Sequence, residues 1–191
     1  MSQKTVKRSW IYALLAGIGV IVIGRWLPHP PNFTPMLGAL LFSAAFFKKY
    51  KLHFLVPIVG LWISDLFLNN LVFSQYFEGF IWFSQPFLYS TAAFVVIALI
   101  ASVVFRRLDL GRIAGMTIIG TALFFLITNF GAWLSSPHLY PRDLMGLSSA
   151  YIAGLPFLLN SLLGDIFYVT GFFGVYYLIN RKAFTVGLVS V

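Results

Sequence analysis

Long apolar segments, separated by short polar ones, dominate the chain. A helix that spans a bilayer needs about 20 mainly apolar residues, and the pattern predicts about six of them. They cover approximately residues 10–27, 35–47, 52–68, 86–105, 113–134 and 151–180. The second segment is short, so we expect a partial or tilted span there. The pattern therefore predicts an all-α, polytopic membrane protein, with residues 1–191 forming a single integral membrane domain.

Composition strengthens this prediction. Of the 191 residues, 60% are hydrophobic and only 9% are charged, against roughly 25% charged in soluble domains. A soluble domain of this size cannot bury so much apolar surface, because its core is limited by surface-to-volume scaling. The chain has no cysteine, which excludes disulfides, thiolate nucleophiles and cysteine-based metal sites.

Basic residues predict the orientation of the helices. With the N-terminus inside, 11 of the 13 basic residues fall on the cytoplasmic side: Lys4, Lys7, Arg8, Lys48, Lys49, Lys51, Arg106, Arg107, Arg112, Arg181 and Lys182. Only Arg25 and Arg142 fall outside, which is the asymmetry of the positive-inside rule. We therefore expect both termini in the cytoplasm of a multi-pass protein of the bacterial inner membrane. Topology also explains the net charge of +8 better than nucleic-acid binding does.

Carboxylates within apolar helices are the first candidates for function. Asp65 and Asp165 lie in predicted spans, where each costs roughly 2.5–3.5 kcal/mol on insertion and usually faces the bundle interior. Arg25 and Arg142 lie on the same side as the outer loops and could reach such a group by snorkelling. The alternative is structural, in which each carboxylate only joins neighbouring helices by hydrogen bonds.

Other polar positions extend this candidate site. Asn129 and Asn160 add amide groups to the fifth and sixth helices, where they either hold helices together or face a cavity. The outer loops are rich in proline and aromatic residues, which is typical of an aromatic belt at the membrane interface. The three histidines are too scattered for a metal motif. No nucleophile motif is present either, so we expect no enzyme, no metal and no cofactor.

Four polar islands in the apolar sequence resemble a family of small bacterial membrane proteins of undefined function. They are PHPPNFTP (28–35), SDLFL (64–68), TNFGAW (128–133) and NSLLGD (160–165). That family is similar in size and helix number to the substrate-binding S components of energy-coupling-factor transporters, and to BtuM-type cobalamin transporters. The resemblance implies a ligand pocket that opens outward. It also implies that Ala13 and Gly17, on the small-residue face of the first helix, dock a transmembrane coupling subunit with its ATPases. Packing within the bundle is the alternative for that face.

These observations favour binding or uptake of a small solute, either vitamin-like or cobalamin-like. The absence of cysteine places cobalamin in doubt, because BtuM-type proteins can use a cysteine to bind cobalt. The expected ligand-binding residues are Asn32, Thr34, Asp65, Asn129, Asn160, Asp165 and Tyr168. Two alternatives stay open: a structural or scaffolding membrane protein, and a carrier that works alone and is coupled to protons through a buried carboxyl group.

Overall fold

The computed structural model describes residues 3–47 and 55–179, with side chains from residue 15 onward. These residues form six α-helices, as the sequence predicts. They are α1 (Gln3–Trp26), α2 (Met36–Phe46), α3 (Leu55–Phe67), α4 (Gln85–Val104), α5 (Leu110–Ser135) and α6 (Leu144–Ile179). A π-helical turn, Leu68–Val72, and a short 3-10 turn, Ser74–Tyr76, follow α3. Five of the basic positions that predict the orientation lie outside the described residues: Lys48, Lys49, Lys51, Arg181 and Lys182.

Four helices within the described residues are long and apolar enough to cross a membrane. They are Leu55–Val72, which includes the π-helical turn, Gln85–Val104, Leu110–Ser135 and Leu144–Ile179. The longest, α6, has 36 residues and is about 54 Å long at the α-helical rise. It therefore exceeds the roughly 30 Å hydrocarbon layer of a bilayer.

Helices α1 and α3 pack side by side and run in the same direction. A Cβ atom on Gly17 would lie 3.0 Å from Val56, and one on Gly60 would lie 2.8 Å from Ile21. Small residues at these positions bring the two backbones close together. At the C-terminal ends of both helices, the rings of Trp26 and Phe67 stack with centroids 3.9 Å apart.

The short helix α2 occupies the centre of the bundle and contacts the other five helices. Nine of its 11 residues are buried, and a helix that is apolar all round belongs inside a protein or a membrane. Close approach to α5 and α6 depends on glycine: a Cβ atom on Gly120 would meet Leu37 at 2.8 Å, and one on Gly38 would meet the Tyr168 backbone at 3.0 Å.

Helices α4, α5 and α6 form an antiparallel layer around α2. Phe94 of α4 stacks on Phe124 of α5, with ring centroids 5.0 Å apart. The Asp143 side chain accepts a 2.7 Å hydrogen bond from the Gly146 amide and so caps the start of α6. The bundle thus has one end where α1, α3 and α5 finish and α2, α4 and α6 begin. We call it the loop end, and it carries residues 27–35, 73–84 and 136–143.

Hydrogen bonds from the side chains of Asn70 and Trp62, which we call the clasp, hold the loop between α3 and α4. Asn70 donates hydrogen bonds to the carbonyl oxygens of Leu66 and Ile81, at 2.8 and 2.9 Å, and accepts one from the Ile81 amide at 2.7 Å. Trp62 adds a 3.1 Å hydrogen bond to the Trp82 carbonyl oxygen. The aromatic residues of this loop, including Tyr76 and Trp82, are mostly exposed.

We expect Asn70→Leu to open this loop without unfolding the bundle, because three hydrogen bonds are lost at one end of the molecule. Hydrogen exchange of the Ile81 amide should accelerate by about tenfold or more, since a bond worth roughly 1 kcal/mol or more protects it. Asn69→Leu is the matched control, because Asn69 is adjacent but is not part of the clasp. Equal exchange rates in the two variants would contradict the assignment of the clasp to Asn70.

Candidate functional site

A cavity of about 240 Å³ lies between the helices near the loop end. All six helices and the 27–35 loop contribute to its wall. The polar lining residues are Arg25, Asn32, Thr34, Ser90, Ser161 and Asp165, and the apolar ones are Met36, Leu37, Leu61, Pro86, Phe94 and Phe124. Half of the lining residues are thus apolar, and apolar walls with convergent polar groups are characteristic of small-molecule sites.

Arg25 and Asp65 form an ion pair at the edge of this cavity. Nη2 of Arg25 lies 2.8 Å from Oδ1 of Asp65, and the side chains are only 18% and 15% exposed. The structure thus supplies Asp65 with one of the two arginine partners that the sequence offers. The other, Arg142, bonds to the Leu134 carbonyl oxygen instead. Nη1 of Arg25 is buried and has no hydrogen-bond partner among the described residues, so it can still donate to an added oxygen atom.

Asp165, on α6, lines the same cavity and is buried. Its Oδ2 is 2.7 Å from the Thr121 hydroxyl oxygen, which is also 2.8 Å from the Thr117 carbonyl oxygen. A hydroxyl group has a single proton to donate. If Asp165 is ionised, Thr121 donates to it. If Asp165 carries a proton, the acid donates to Thr121, which donates to Thr117. Both states fit the same positions of the heavy atoms.

The 27–35 loop carries Asn32 and Thr34 into the cavity wall. Phe33, between them, packs its ring against those of Phe167 and Tyr168 on α6, with centroids 5.7 Å away in each case. Its backbone rests on Gly164, where a Cβ atom would lie 2.9 Å from the Phe33 Cα. Asn32 has a φ of 65°, a left-handed conformation that asparagine tolerates better than most residues. The loop is therefore held by packing in a conformation that faces the cavity.

A second cavity of about 250 Å³ adjoins the first. Asn32, Ser90, Phe124 and Ser161 line both, so the two are lobes of one site. The second lobe also contains Asn129, whose amide nitrogen donates a 2.8 Å hydrogen bond to the Phe125 carbonyl oxygen. Asn129 packs directly on Gly154 of α6, which has no Cβ atom to displace it. The combined site reaches from the Arg25–Asp65 pair to the N-terminal half of α6.

The structure brings together five of the seven predicted site residues. Four line the two lobes: Asn32, Thr34, Asn129 and Asp165. Asp65 adjoins them through Arg25. Asn160 and Tyr168 do not line either lobe. Tyr168 instead lines an apolar groove on the surface, between α1, α2 and α6.

Ser90, Ser161, Phe124 and Thr121 are site residues that the sequence reasoning did not single out. Ser161 precedes Asp165 by four residues and so shares its helix face. This spacing is visible in the sequence and indicates Ser161 as a site residue. The same spacing joins Thr117 and Thr121 on α5. Ser90 and Phe124 are ordinary residues of apolar helices, and only the packing of α4 against α5 places them at the site.

Of the two residues predicted to form a docking face on α1, the structure describes the surroundings of Gly17. Gly17 lies against Val56 of α3, which is the arrangement that packing within the bundle predicts. The Ala13 side chain lies outside the described residues. Docking of a coupling subunit on this face stays a prediction.

Comparison with known families assigns the chain to a family. Residues 3–186 match the model of DUF6580, a family of unknown function. The chain belongs to this family. DUF6580 thus covers nearly the whole chain, including all six described helices, and it confirms the expected membership of a family without an assigned function. No curated protein and no solved structure matches the chain. The resemblance to S components and BtuM-type transporters therefore stays a prediction.

Proposed function

We propose that this member of DUF6580 is a bacterial inner-membrane protein that binds a small polar solute in the two-lobed cavity, as the binding step of uptake. The observation that carries the proposal is the convergence of Arg25, Asn32 and Asp165 on one cavity within an otherwise apolar bundle. Polar groups are costly inside a membrane and are retained mainly where they serve a function.

The proposed orientation places the loop end outside and both termini in the cytoplasm. Two kinds of observation support it. The distribution of basic residues along the sequence follows the positive-inside rule. Among the described residues, Arg106, Arg107 and Arg112 lie at the end of the bundle opposite the cavity. The cavity would then lie closer to the outer surface, where a solute arrives.

The size of the cavity narrows the class of solute. Even taken together, the two lobes of about 240 and 250 Å³ lie in the lower half of the roughly 300–1,000 Å³ of sites for drug-sized ligands. This favours a solute with the dimensions of an amino acid or a small vitamin over a macrocycle such as cobalamin. Energy for uptake would come either from an ATPase module that docks on the protein or from an ion gradient.

We expect Ser90→Phe to abolish solute binding. Ser90 lines both lobes, so a phenyl ring at this position would occupy space that the solute needs. The measurement is a thermal-unfolding screen of polar metabolites with the purified protein in a nonionic detergent. A solute at about 100 times its Kd should stabilise the wild type by roughly 2.7 kcal/mol and should not stabilise the variant.

Ala122→Phe is the matched control, because Ala122 is an exposed residue of α5 and lines neither lobe. This variant should respond to the same solutes as the wild type. A screen in which no solute distinguishes Ser90→Phe from Ala122→Phe would contradict the proposal.

The scaffolding alternative has one specific observation in its favour. Asp65 is paired with Arg25, and Asp165 is bonded to Thr121, so both carboxyl groups also join helices. If substitutions of the cavity residues change only the amount of folded protein, and never a ligand response, the scaffolding function is the better account.

A further inference from the structure

We infer that the solute bound in this cavity is a small organic cation, of the class of singly charged ammonium compounds, with its positive charge beside Asp165. The inference rests on the proposed function and names the chemical class of its ligand. Three features of the site support it: the charges of the residues that line the cavity, the aromatic rings that line it together with Asp165, and its size.

The charges of the cavity wall do not balance. Arg25 and Asp65 neutralise each other across 2.8 Å, which leaves Asp165 as the unmatched charge when it is ionised. Within the described residues, Arg25 is the only basic side chain that lines this cavity, and His29 of the 27–35 loop does not line it. Helix α2 has no ionisable side chain, and the only titratable group of α4 is Tyr89. Arg112, at the start of α5, is paired with Asp109. Since an unpaired charge is costly in a medium of low dielectric constant, a ligand with one positive charge completes the site.

The Thr121 hydroxyl group can form a hydrogen bond with Asp165 whether or not this ligand is bound. As described above, it can accept a proton from a neutral Asp165 or donate one to the ionised carboxylate, with no movement of heavy atoms. A proton would then neutralise Asp165 in the empty cavity, and an organic cation would replace it. The carboxyl group keeps a hydrogen-bond partner in both states, so exchange needs no rearrangement of α5 against α6.

Aromatic rings and cavity size favour an organic cation over a metal ion. The stacked rings of Phe94 and Phe124 line the same cavity as Asp165, and ring faces attract cations within about 6 Å of their centroids. No group of three or more metal-binding side chains occurs in the part of the chain that the structure describes. A cavity of about 240 Å³ also has room for several non-hydrogen atoms beyond a single ion.

Hydrogen-bond donors in the same cavity indicate an oxygen atom on the same ligand. Nη1 of Arg25 is buried without a partner among the described residues, and Asn32, which carries a side-chain amide, lines the same cavity. Both can donate a hydrogen bond to a hydroxyl or carbonyl oxygen. A carboxylate is disfavoured here, because Asp65 already neutralises Arg25. The expected ligand therefore has an ammonium group at one end and an uncharged oxygen at the other.

The test compares charged probes with uncharged isosteres. Choline and ethanolamine, the latter as its ammonium ion, carry an ammonium group and a hydroxyl group. The uncharged isostere of choline has a carbon atom in place of the quaternary nitrogen. The uncharged isostere of ethanolamine is propanol. Binding is measured by calorimetry on the full chain in a nonionic detergent. We expect at least one cation to bind the wild type about tenfold or more tightly than its isostere, which corresponds to about 1.4 kcal/mol.

Two variants assign this charge preference to Asp165. In Asp165→Asn the preference should disappear, so that cation and isostere bind equally. In Asp165→Glu, which keeps the charge, the preference should remain. Acetate serves as a small anionic probe. If Asp165→Asn does not fold, comparing the binding of the cations, their isosteres and acetate to the wild type still shows whether the site prefers a positive charge. The inference is overturned if an isostere or acetate binds as tightly as both cations, if neither cation binds, or if Asp165→Asn keeps the preference.

These outcomes separate the ligand class from the function. If a solute other than a cation binds and Ser90→Phe abolishes its binding, the proposed function stands and the inference about charge fails. If no solute distinguishes Ser90→Phe from Ala122→Phe, both fail together.

Discussion

Asp65→Leu is expected to lower the free energy of unfolding by about 3–5 kcal/mol, because it leaves the guanidinium group of Arg25 buried without its carboxylate. The Arg25 side chain is only 18% exposed, and Nη1 already has no partner among the described residues. The double variant Arg25→Leu/Asp65→Leu should recover most of the loss, since an apolar replacement of a whole buried pair is often neutral or stabilising. Reversible denaturation of the four proteins of this double-mutant cycle gives the coupling energy.

Arg112→Leu is the matched control for this prediction. Arg112 pairs with Asp109 at 3.3 Å, but the two side chains are 38% and 56% exposed. Exposed ion pairs contribute roughly 0–1 kcal/mol, so this loss should be much smaller. A double variant of Arg25 and Asp65 that is less stable than Asp65→Leu would contradict the role of the pair as two mutually dependent charges.

Gly164→Ala is expected to damage the solute site more than the bundle. The added Cβ atom would lie 2.9 Å from the Phe33 Cα, and a backbone atom cannot rotate away as a side chain does. The 27–35 loop must therefore move, and Asn32 and Thr34 move with it. Overpacking of this kind costs about 1–3 kcal/mol. We expect a loss of at least about tenfold in affinity for the solutes that stabilise the wild type, measured by calorimetry beside thermal unfolding.

Gly171→Ala, two turns further along α6, serves as the control. A Cβ atom at Gly171 meets nothing within 4 Å, so this variant gains helix propensity of up to about 1 kcal/mol and should bind as the wild type does. If Gly164→Ala binds solute with unchanged affinity, the backbone of the 27–35 loop does not position the site.

Hydropathy and charge predict the helices well in this chain. The number of helices agrees with the structure, and most ends of the described segments agree within about three residues, because the polar segments between helices are short and distinct. The largest errors, of seven residues each, are at the starts of two helices: α1 begins at Gln3 rather than near residue 10, and α6 begins at Leu144 rather than near residue 151. Residues 144–150 are a mixture of serine, glycine and apolar residues, and the Asp143 cap that starts the helix depends on a single side chain.

The site was harder to predict, because it depends on which faces of apolar helices meet. Asp165 and Asn129 were found because polar groups are conspicuous in apolar helices. Asn160 has the same property, but it is adjacent to Ser161 and therefore lies about 100° away from the face that lines the cavity. Arg25 was identified only as a group able to reach a carboxylate, since sequence gives no measure of the distance between α1 and α3. The roles of Ser90 and Phe124 follow from helix packing and have no signal in the sequence.

The short length of α2 has a consequence for how the chain is made. Its 11 residues span about 17 Å, little more than half of the hydrocarbon layer, so α2 is a weak signal for membrane insertion during synthesis. It contacts the other five helices, and the last of these, α6, is the last to leave the ribosome. We therefore expect α2 to reach its final position only after α6 has been synthesised. Nascent chains that end before α6 should expose α2 and the 27–35 loop, and should be degraded faster by membrane proteases than the finished protein.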